Sequence, residues 1–347
     1  MKPCRKVGID VTWRCQWRCR SCFYRRNPHL GKPTDVPWME VCNKIRRAKE
    51  GGLDHVVAVG HGEPSLYPDI LNVLNYCRGE GMATSMITTG ATGLWRFNEF
   101  YDNGLDHLHI SSHGIGETLD RITGTKGGFD KQTELKDHLQ TRGLPFRTNV
   151  TIQRENYQEL PELASHECDM GVWHFVFLGF IPIYEWGTDK AYVQEVAVPP
   201  AELRPYIEDA AEILLAMKRH FTIRYQPLCH LSPKYWPYVT NARFVFFDQY
   251  EWNYELQAED TESLWRASKR MGDGLGNHYP CHQCVAYHWC GGWNKKYAEA
   301  FDGADLKPIK KVPEQYQEVW ETRFGLLDLN PVNLTTGTLR TKTWRDE

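Results

Sequence analysis

Cys15, Cys19 and Cys22 stand in a C-x3-C-x2-C spacing within the run CQWRCRSC. A loop can fold three such sulfurs onto one face of an iron-sulfur cube, because soft thiolates suit iron. Three thiolates leave one iron without a protein ligand. A metal that does chemistry keeps such an open position, whereas a structural site closes its shell. A zinc site or unrelated buried thiols are the alternatives that spacing alone leaves open.

Three further stretches follow. Gly60-His61-Gly62-Glu63-Pro64 ends an apolar strand pattern, Ile110-Ser111-Ser112-His113-Gly114 ends another, and Asp120-Arg121-Ile122-Thr123-Gly124 comes next. In this order, together with the cysteine spacing, they resemble the radical SAM enzymes over about residues 5 to 225. The resemblance implies a 4Fe-4S cluster on the three cysteines, with S-adenosylmethionine on the fourth iron. It implies an electron donor such as flavodoxin or ferredoxin and reductive cleavage to a 5'-deoxyadenosyl radical. That radical then takes a hydrogen atom from an unactivated C-H bond.

On the same resemblance, Gly60, Gly62, Glu63 and Pro64 set a strand edge beside the cluster and the methionine part of the cofactor. Thr88, Ser111 and Asn149, with Thr89 and Ser112, offer hydroxyl and amide groups for the ribose and carboxylate. Gly179-Phe180-Ile181-Pro182 offers backbone contacts for the adenine, with Ile181 the residue concerned, and a simple loop is the alternative. There are three departures from the family pattern. Ser21 stands where an aromatic is usual, so that contact falls to Phe23 or Tyr24; His61 replaces the first glycine; His113 replaces an acid. His61 and His113 titrate near neutrality, which suits general acid or base work if they face the site, and core or surface histidines are the alternative.

Cys281, Cys284 and Cys290 form a second set, C-x2-C-x5-C, with Cys229 as the natural fourth thiolate. This looks like the SPASM or Twitch extension of radical SAM enzymes, which implies one auxiliary 4Fe-4S cluster. Structural zinc, with His282, His288 or His230 as a ligand, competes with it. Cys4, Cys42, Cys77 and Cys168 read as inert thiols.

The elements that must position these groups alternate. Strand patterns cover Val7 to Trp13, Asp54 to Gly60, Ala83 to Thr89, Leu105 to Ser112, Pro145 to Ile152 and Val172 to Gly179, with a seventh at Phe221 to Gln226. Helical patterns cover Pro37 to Glu50, Pro68 to Gly79, Arg96 to Asn103, Gly128 to Arg142, a segment from Asn156 to Met170 with a capping-box start, and Pro200 to His220. The last should turn Leu203, Ile207, Leu214 and Met217 inward. Such alternation argues for an α/β chain with a helix-covered parallel sheet. The polar motifs fall at strand C-terminal ends, as they do in barrels. Alternation alone does not separate a barrel from a doubly wound sheet; the resemblance implies a partial (β/α)6 barrel over 1–225, a cysteine-rich auxiliary region over 226–300 and a C-terminal helix and tail over 301–347. The helix is placed at Gln315 to Phe324.

The chain has 347 residues, 41% hydrophobic, with net charge -3 and no long block of one sign. No dominant attraction to nucleic acid or anionic lipid is expected. With no signal-peptide or membrane-spanning run and 11 cysteines, a reducing, cytoplasmic setting is expected. The cysteine motif begins at residue 15, leaving no room before it for a leader-binding domain, so a small polar metabolite is expected as substrate, with a short peptide open. Two other readings are RNA base modification, drawing on Arg14, Arg18, Arg20, Arg25 and Arg26, and a zinc-binding interaction protein.

Overall fold

The computed structural model describes residues 6–22, 34–59, 62–180, 189–240, 281–287, 290, 292–303 and 306–318. Cys4, Phe23, Tyr24, Arg25, Arg26, Gly60, His61, Ile181, His288 and most of the segment from Gln315 to Phe324 lie outside them.

Among the described residues, eight strands form one parallel sheet in the order of the sequence: β1 (Lys6–Asp10), β2 (His55–Val59), β3 (Ala83–Thr88), β4 (His107–Ser111), β5 (Phe146–Ile152), β6 (His174–Gly179), β7 (His220–Arg224) and β8 (Val239–Thr240). Parallel neighbours need a crossover, and successive crossovers of one hand carry the sheet round into an arc. The crossover helices are α1 (Trp38–Glu50), α2 (Ile70–Gly79), α3 (Leu94–Asp102), α4 (Glu117–Thr123), α5 (Gly128–Thr141), α6 (Leu160–Asp169), α7 (Lys190–Val196) and α8 (Pro200–Ala216). A short α9 (Lys295–Ala300) follows the second cysteine set.

Strand alternation gives the sheet two different faces. Val7, Ile9, Val56, Ala58, Met86, Leu108 and Ile110 are buried with Val41, Ile45, Leu74, Phe97 and Leu135 of the helices. Further round, Val150, Phe175, Phe177, Phe221 and Ile223 join Leu160, Leu163, Leu203 and Ile207. Each such side chain contributes about 1.5–3 kcal/mol on burial, so this outer layer holds the arc closed. The inner face is apolar at mid-height, where Val57 and Val59 meet Ile87. Toward the strand N-terminal ends, and at His109 beside Ile87, it is polar: His55, His109, Arg147 and His174 are buried, His107 half-buried. His55 Nε2 lies 2.5 Å from Ser85 Oγ and His174 Nε2 3.2 Å from Thr222 Oγ1.

The alternating strand-helix reading holds through the seventh strand, and the sheet gains the two-residue β8. Helices α4 and α7 have no counterpart among the sequence patterns, since each is seven residues long and too short to show a period. Met217 does not point inward: α8 ends at Ala216, and Met217 is 48% exposed past its end. The capping box at Asn156 does not form either. A 3-10 turn (Tyr157–Glu159) precedes α6, Asn156 Oδ1 accepts from the Gln153 N-H at 2.8 Å, and Glu159 turns to the loop after β4.

Candidate active site

The cysteine loop leaves β1 as a continuation of the sheet. Val11 N-H donates to Val59 O (3.1 Å), Gly62 N-H to Thr12 O (3.1 Å) and Glu63 N-H to Arg14 O (2.7 Å), so the ladder runs past the ends of both strands. A Cβ on residue 62 would lie 2.1 Å from Arg14 O, so only glycine permits this approach. On its other side the loop docks on the end of α4. Arg18 N-H donates to Thr123 O at 2.7 Å and Arg20 N-H to Ile122 O at 2.9 Å, which satisfies carbonyls that a helix end leaves open. Gly124, with φ +62°, closes α4 against Arg18.

Asp120 completes this support. Its carboxylate accepts the N-H groups of Gly127 (2.5 Å), Gly128 (2.8 Å) and Phe129 (3.1 Å) and so anchors the start of α5. Tyr192 Oη of α7 donates to Arg20 O at 3.1 Å. The Arg20 guanidinium pairs with Glu155 at 3.0 Å and with Glu195, while Arg14 Nε pairs with Asp35 at 2.9 Å and its Nη2 donates to Leu66 O at 2.7 Å. Two of the arginines that flank the motif therefore tie the loop to the barrel. Cys22 N-H donates to Cys19 O at 3.2 Å; Cys15 is exposed and Cys19 and Cys22 half-buried, so the three thiols ride on a turn whose backbone is held from both sides.

Glu63 is 1% exposed and binds across the ends of β2 and β3. Its Oε1 accepts from Thr88 Oγ1 at 2.6 Å and Ser65 N at 3.2 Å, and its Oε2 from Thr89 N at 2.7 Å. Thr88 is thereby committed to Glu63, and its hydroxyl also accepts from Gly90 N at 3.1 Å. Thr89 Oγ1 instead accepts from Gln16 Nε2 of the cysteine loop at 3.3 Å. Gln132 of α5, fully buried, donates through Nε2 to both Thr89 O (2.7 Å) and Ser111 O (2.8 Å), pinning β3 to β4. Its position among apolar helix residues was the signal that sequence reasoning passed over. Asn149 Oδ1 accepts from Arg147 Nε at 2.8 Å, and the Ser111 side chain stays half-buried at the rim.

His113 is 9% exposed, and its Nδ1 accepts the Thr151 N-H at 3.2 Å. Burial lowers its pKa to about 4, so the ring is a neutral acceptor that fixes the rim between β4 and β5. Asn156 Nδ2 donates to His113 O (2.8 Å) and Thr151 O (2.9 Å), while Glu159 accepts from Ile115 N (3.2 Å) and from Thr118 Oγ1 at its other oxygen. Behind this rim, Lys136 and Glu167 form a fully buried ion pair. Glu167 also accepts from Ser112 Oγ at 3.0 Å and Thr148 Oγ1 at 2.6 Å, so both of its oxygens have donors.

Cys229, Cys281, Cys284 and Cys290 line one cavity, together with Pro227, Leu228 and Ile309. Burial pushes the Cys229 thiol up to about 12 and raises that of Cys290. Backbone N-H groups aim at three of the sulfurs: Lys307 at Cys229, Ile309 at Cys284 (3.3 Å), and Leu228 and Gly292 (3.4 Å) at Cys290. Such bonds stabilise thiolates that hold a cluster. His230 and His282 are not among the lining residues; they pack on Trp293 and Tyr287. No helix among the described residues is long and apolar enough to cross a membrane.

Residues 9–166 match the model of the Radical SAM superfamily. The PqqA peptide cyclase of Methylorubrum extorquens (strain PA1) is 30% identical over 203 residues, covering 56% of this chain and 50% of that protein. That of Bradyrhizobium diazoefficiens is 26% identical over 216 residues, covering 60% and 55%. The chain thus spans about half the length of the curated relatives it matches. The solved structure of a tagged form of anSMEcpe with bound AdoMet aligns with a TM-score of 0.56 at 14% identity, over 92% of this chain and 96% of the other. Streptococcus suis SuiB bound to S-adenosylmethionine aligns with a TM-score of 0.53 at 18% identity, over 64% and 51%. At these identities the two structures show a common fold. The matched segment carries the three-cysteine loop, the Gly62-Glu63 edge and the α4 segment that supports the loop, and it is over these residues, 9–166, that the chain is similar to the radical SAM superfamily.

Proposed function

We propose that this enzyme cleaves S-adenosylmethionine reductively at a 4Fe-4S cluster on Cys15, Cys19 and Cys22 and takes a hydrogen atom from a peptide substrate. We assign it to the SPASM/Twitch group, with an auxiliary 4Fe-4S cluster on Cys229, Cys281, Cys284 and Cys290. The observation that carries the reading is the cysteine loop itself, a short turn with three thiols whose backbone is bonded on one side to Gly62 and Glu63 and on the other to Ile122 and Thr123. Among the described residues no three side chains are gathered closely enough to hold a metal as placed, and what supports iron at the second cavity is the donor type, four thiols with N-H groups aimed at three of them.

The bound cluster and cofactor supply the 5'-deoxyadenosyl radical. The chain's own part is positional: Glu63 fixes the ends of β2 and β3, Gln132 fixes those of β3 and β4, and Asn156 with His113 fixes those of β4 and β5. Val57, Val59 and Ile87 make the wall below apolar, so water and stray hydrogen donors are kept from the reacting centre.

The curated relatives are named for a peptide, which favours a peptide over the small metabolite expected from the sequence. Of the arginines that suggested RNA modification, Arg14 and Arg20 are partly exposed and paired with Asp35 and Glu155, Arg18 is exposed, and Arg25 and Arg26 lie outside the described residues. Of the histidines that could complete a zinc site, His230 and His282 do not line the cavity and His288 lies outside the described residues. Iron and sulfide counting on anaerobically reconstituted protein tests the assignment: about eight irons per chain supports two clusters, about four leaves the auxiliary site without one, and zinc in place of iron rejects the redox reading.

A further inference from the structure

One short helix touches both cysteine sites. α7 is capped at its start by Asp189, whose side chain accepts the Tyr192 N-H at 2.8 Å. Toward the first site it presents Tyr192, whose buried hydroxyl end donates to Arg20 O at 3.1 Å, and Glu195, which pairs with the Arg20 guanidinium. Arg20 stands beside Cys19, so these contacts fall on the turn that carries Cys19 and Cys22. Toward the second site, Tyr192, Val193 and Val196, with Ala197 after them, share an apolar cluster with Trp293, Tyr297, Ala298 and Ala300, and Cys229 and Cys281 pack against it.

Polar bonds fasten the same contact. Gln194 Nε2 donates to Ala300 O at 2.8 Å, which satisfies a carbonyl left open by the end of α9. Tyr297 Oη donates to Val198 O at 2.7 Å and accepts the Val198 N-H at 3.0 Å. Neither helix would hold by itself: α7 has seven residues and α9 six, and isolated helices shorter than about 12–15 residues are marginal in water. The barrel holds α7 through Phe180 against Tyr192 and through the Arg154 N-H on Val196 O at 2.7 Å; its other partners in the cluster come from residues 293–306 and the two thiols. Between Cys281 and Ala300 the described residues form only a 3-10 turn (Cys281–Gln283) and α9. A chain with so little regular structure draws its order from what its thiols bind, because metal binding to such a set is folding free energy.

We infer that α7 couples the two cysteine sites: a cluster on Cys229, Cys281, Cys284 and Cys290 keeps α9 and α7 folded, and α7 in turn steadies the turn that carries Cys19 and Cys22. This rests on the two-cluster reading above and goes further in making the second cluster a support for the first. Tyr192 is then a positioning residue that acts through Arg20. The coupling is reciprocal, since two sites that bias one element bias each other equally.

Hydrogen exchange, followed by mass spectrometry on anaerobically reconstituted protein, reads the coupling segment by segment. The double variant Cys281→Ala with Cys284→Ala leaves the second site two thiols. It should speed exchange in α9, in α7 and at residues 18–22 by roughly threefold or more, the factor expected when one buried hydrogen bond is lost, while α1 keeps the wild-type rate. Tyr297→Phe leaves every thiol in place and should do the same in α7 and at residues 18–22 with iron content unchanged. Tyr192→Phe should speed exchange at residues 18–22 alone. Wild-type rates at residues 18–22 in the double variant or in Tyr297→Phe overturn the inference, as does a rise in Tyr297→Phe that α1 shares equally, the mark of general loosening. Wild type that takes up only about four irons per chain would instead strike the two-cluster reading.

Discussion

Glu63 and Thr88 are joined by a 2.6 Å hydrogen bond in which the threonine hydroxyl donates to a carboxylate that is 1% exposed. The same carboxylate takes the Thr89 N-H at 2.7 Å, so a charged acceptor holds the end of β3 to the Gly62-Glu63 edge. Glu63→Gln replaces one acceptor oxygen with a donor facing donors. A buried group left unsatisfied in this way costs about 1–3 kcal/mol. Urea denaturation should show a loss of that size, and calorimetry should show weaker S-adenosylmethionine binding.

Gly62→Ala acts on the cysteine loop instead. The added methyl would stand 2.1 Å from Arg14 O, so the backbone at Trp13 and Arg14 must move. The expected result is a normal far-ultraviolet circular dichroism spectrum with iron uptake reduced by about four atoms per chain, the content of one cluster. Full iron content in the variant would show that the loop tolerates the shift.

Acid should destabilise the barrel before it unfolds the helices. Burial holds His55 down to about 3 and His113 to about 4, and it lowers His107, His109 and His174 as well. These rings bind a proton more readily after unfolding, where their pKa is about 6.5. Their contribution is therefore complete above about pH 6.5 and is lost as the pH falls from there toward 4. The urea midpoint should drop across that window; a flat midpoint contradicts the prediction.

Lys136 and Glu167 predict a large single-mutant effect. Both are fully buried, and Lys136→Met would leave Glu167 with only Ser112 and Thr148 as partners. Breaking one side of a buried pair costs about 3–5 kcal/mol. The loss would be read from chemical denaturation, and a change below about 1 kcal/mol would mean that the carboxyl group takes up a proton at little cost.

The order of these elements was legible because it is written locally. Apolar strand patterns alternate with helical ones and the chemistry-bearing residues fall at strand ends, so the helix-covered parallel sheet and its working rim followed from period and position, while the choice of a barrel over a doubly wound sheet came from the family resemblance. The jobs of single residues were less legible, because they depend on partners distant in sequence. Thr88 looked like a ligand group until Glu63, 25 residues earlier, was seen to take its hydroxyl. His113 was read as an acid-base candidate from its place in the motif, and the sequence could not show that its Nδ1 accepts the Thr151 N-H. Asn156 and Glu159 matched a local capping pattern, yet both side chains are used by the β4 and β5 rim instead.

The most direct test of the central claim is 5'-deoxyadenosine formation by anaerobically reconstituted, reduced protein supplied with S-adenosylmethionine, compared between wild type, Cys19→Ala and Cys284→Ala. The account predicts that the wild type forms 5'-deoxyadenosine and Cys19→Ala forms none, while Cys284→Ala keeps the spectrum of the cluster on Cys15, Cys19 and Cys22. Absence of 5'-deoxyadenosine from fully iron-loaded wild type, or its undiminished formation by Cys19→Ala, would contradict it.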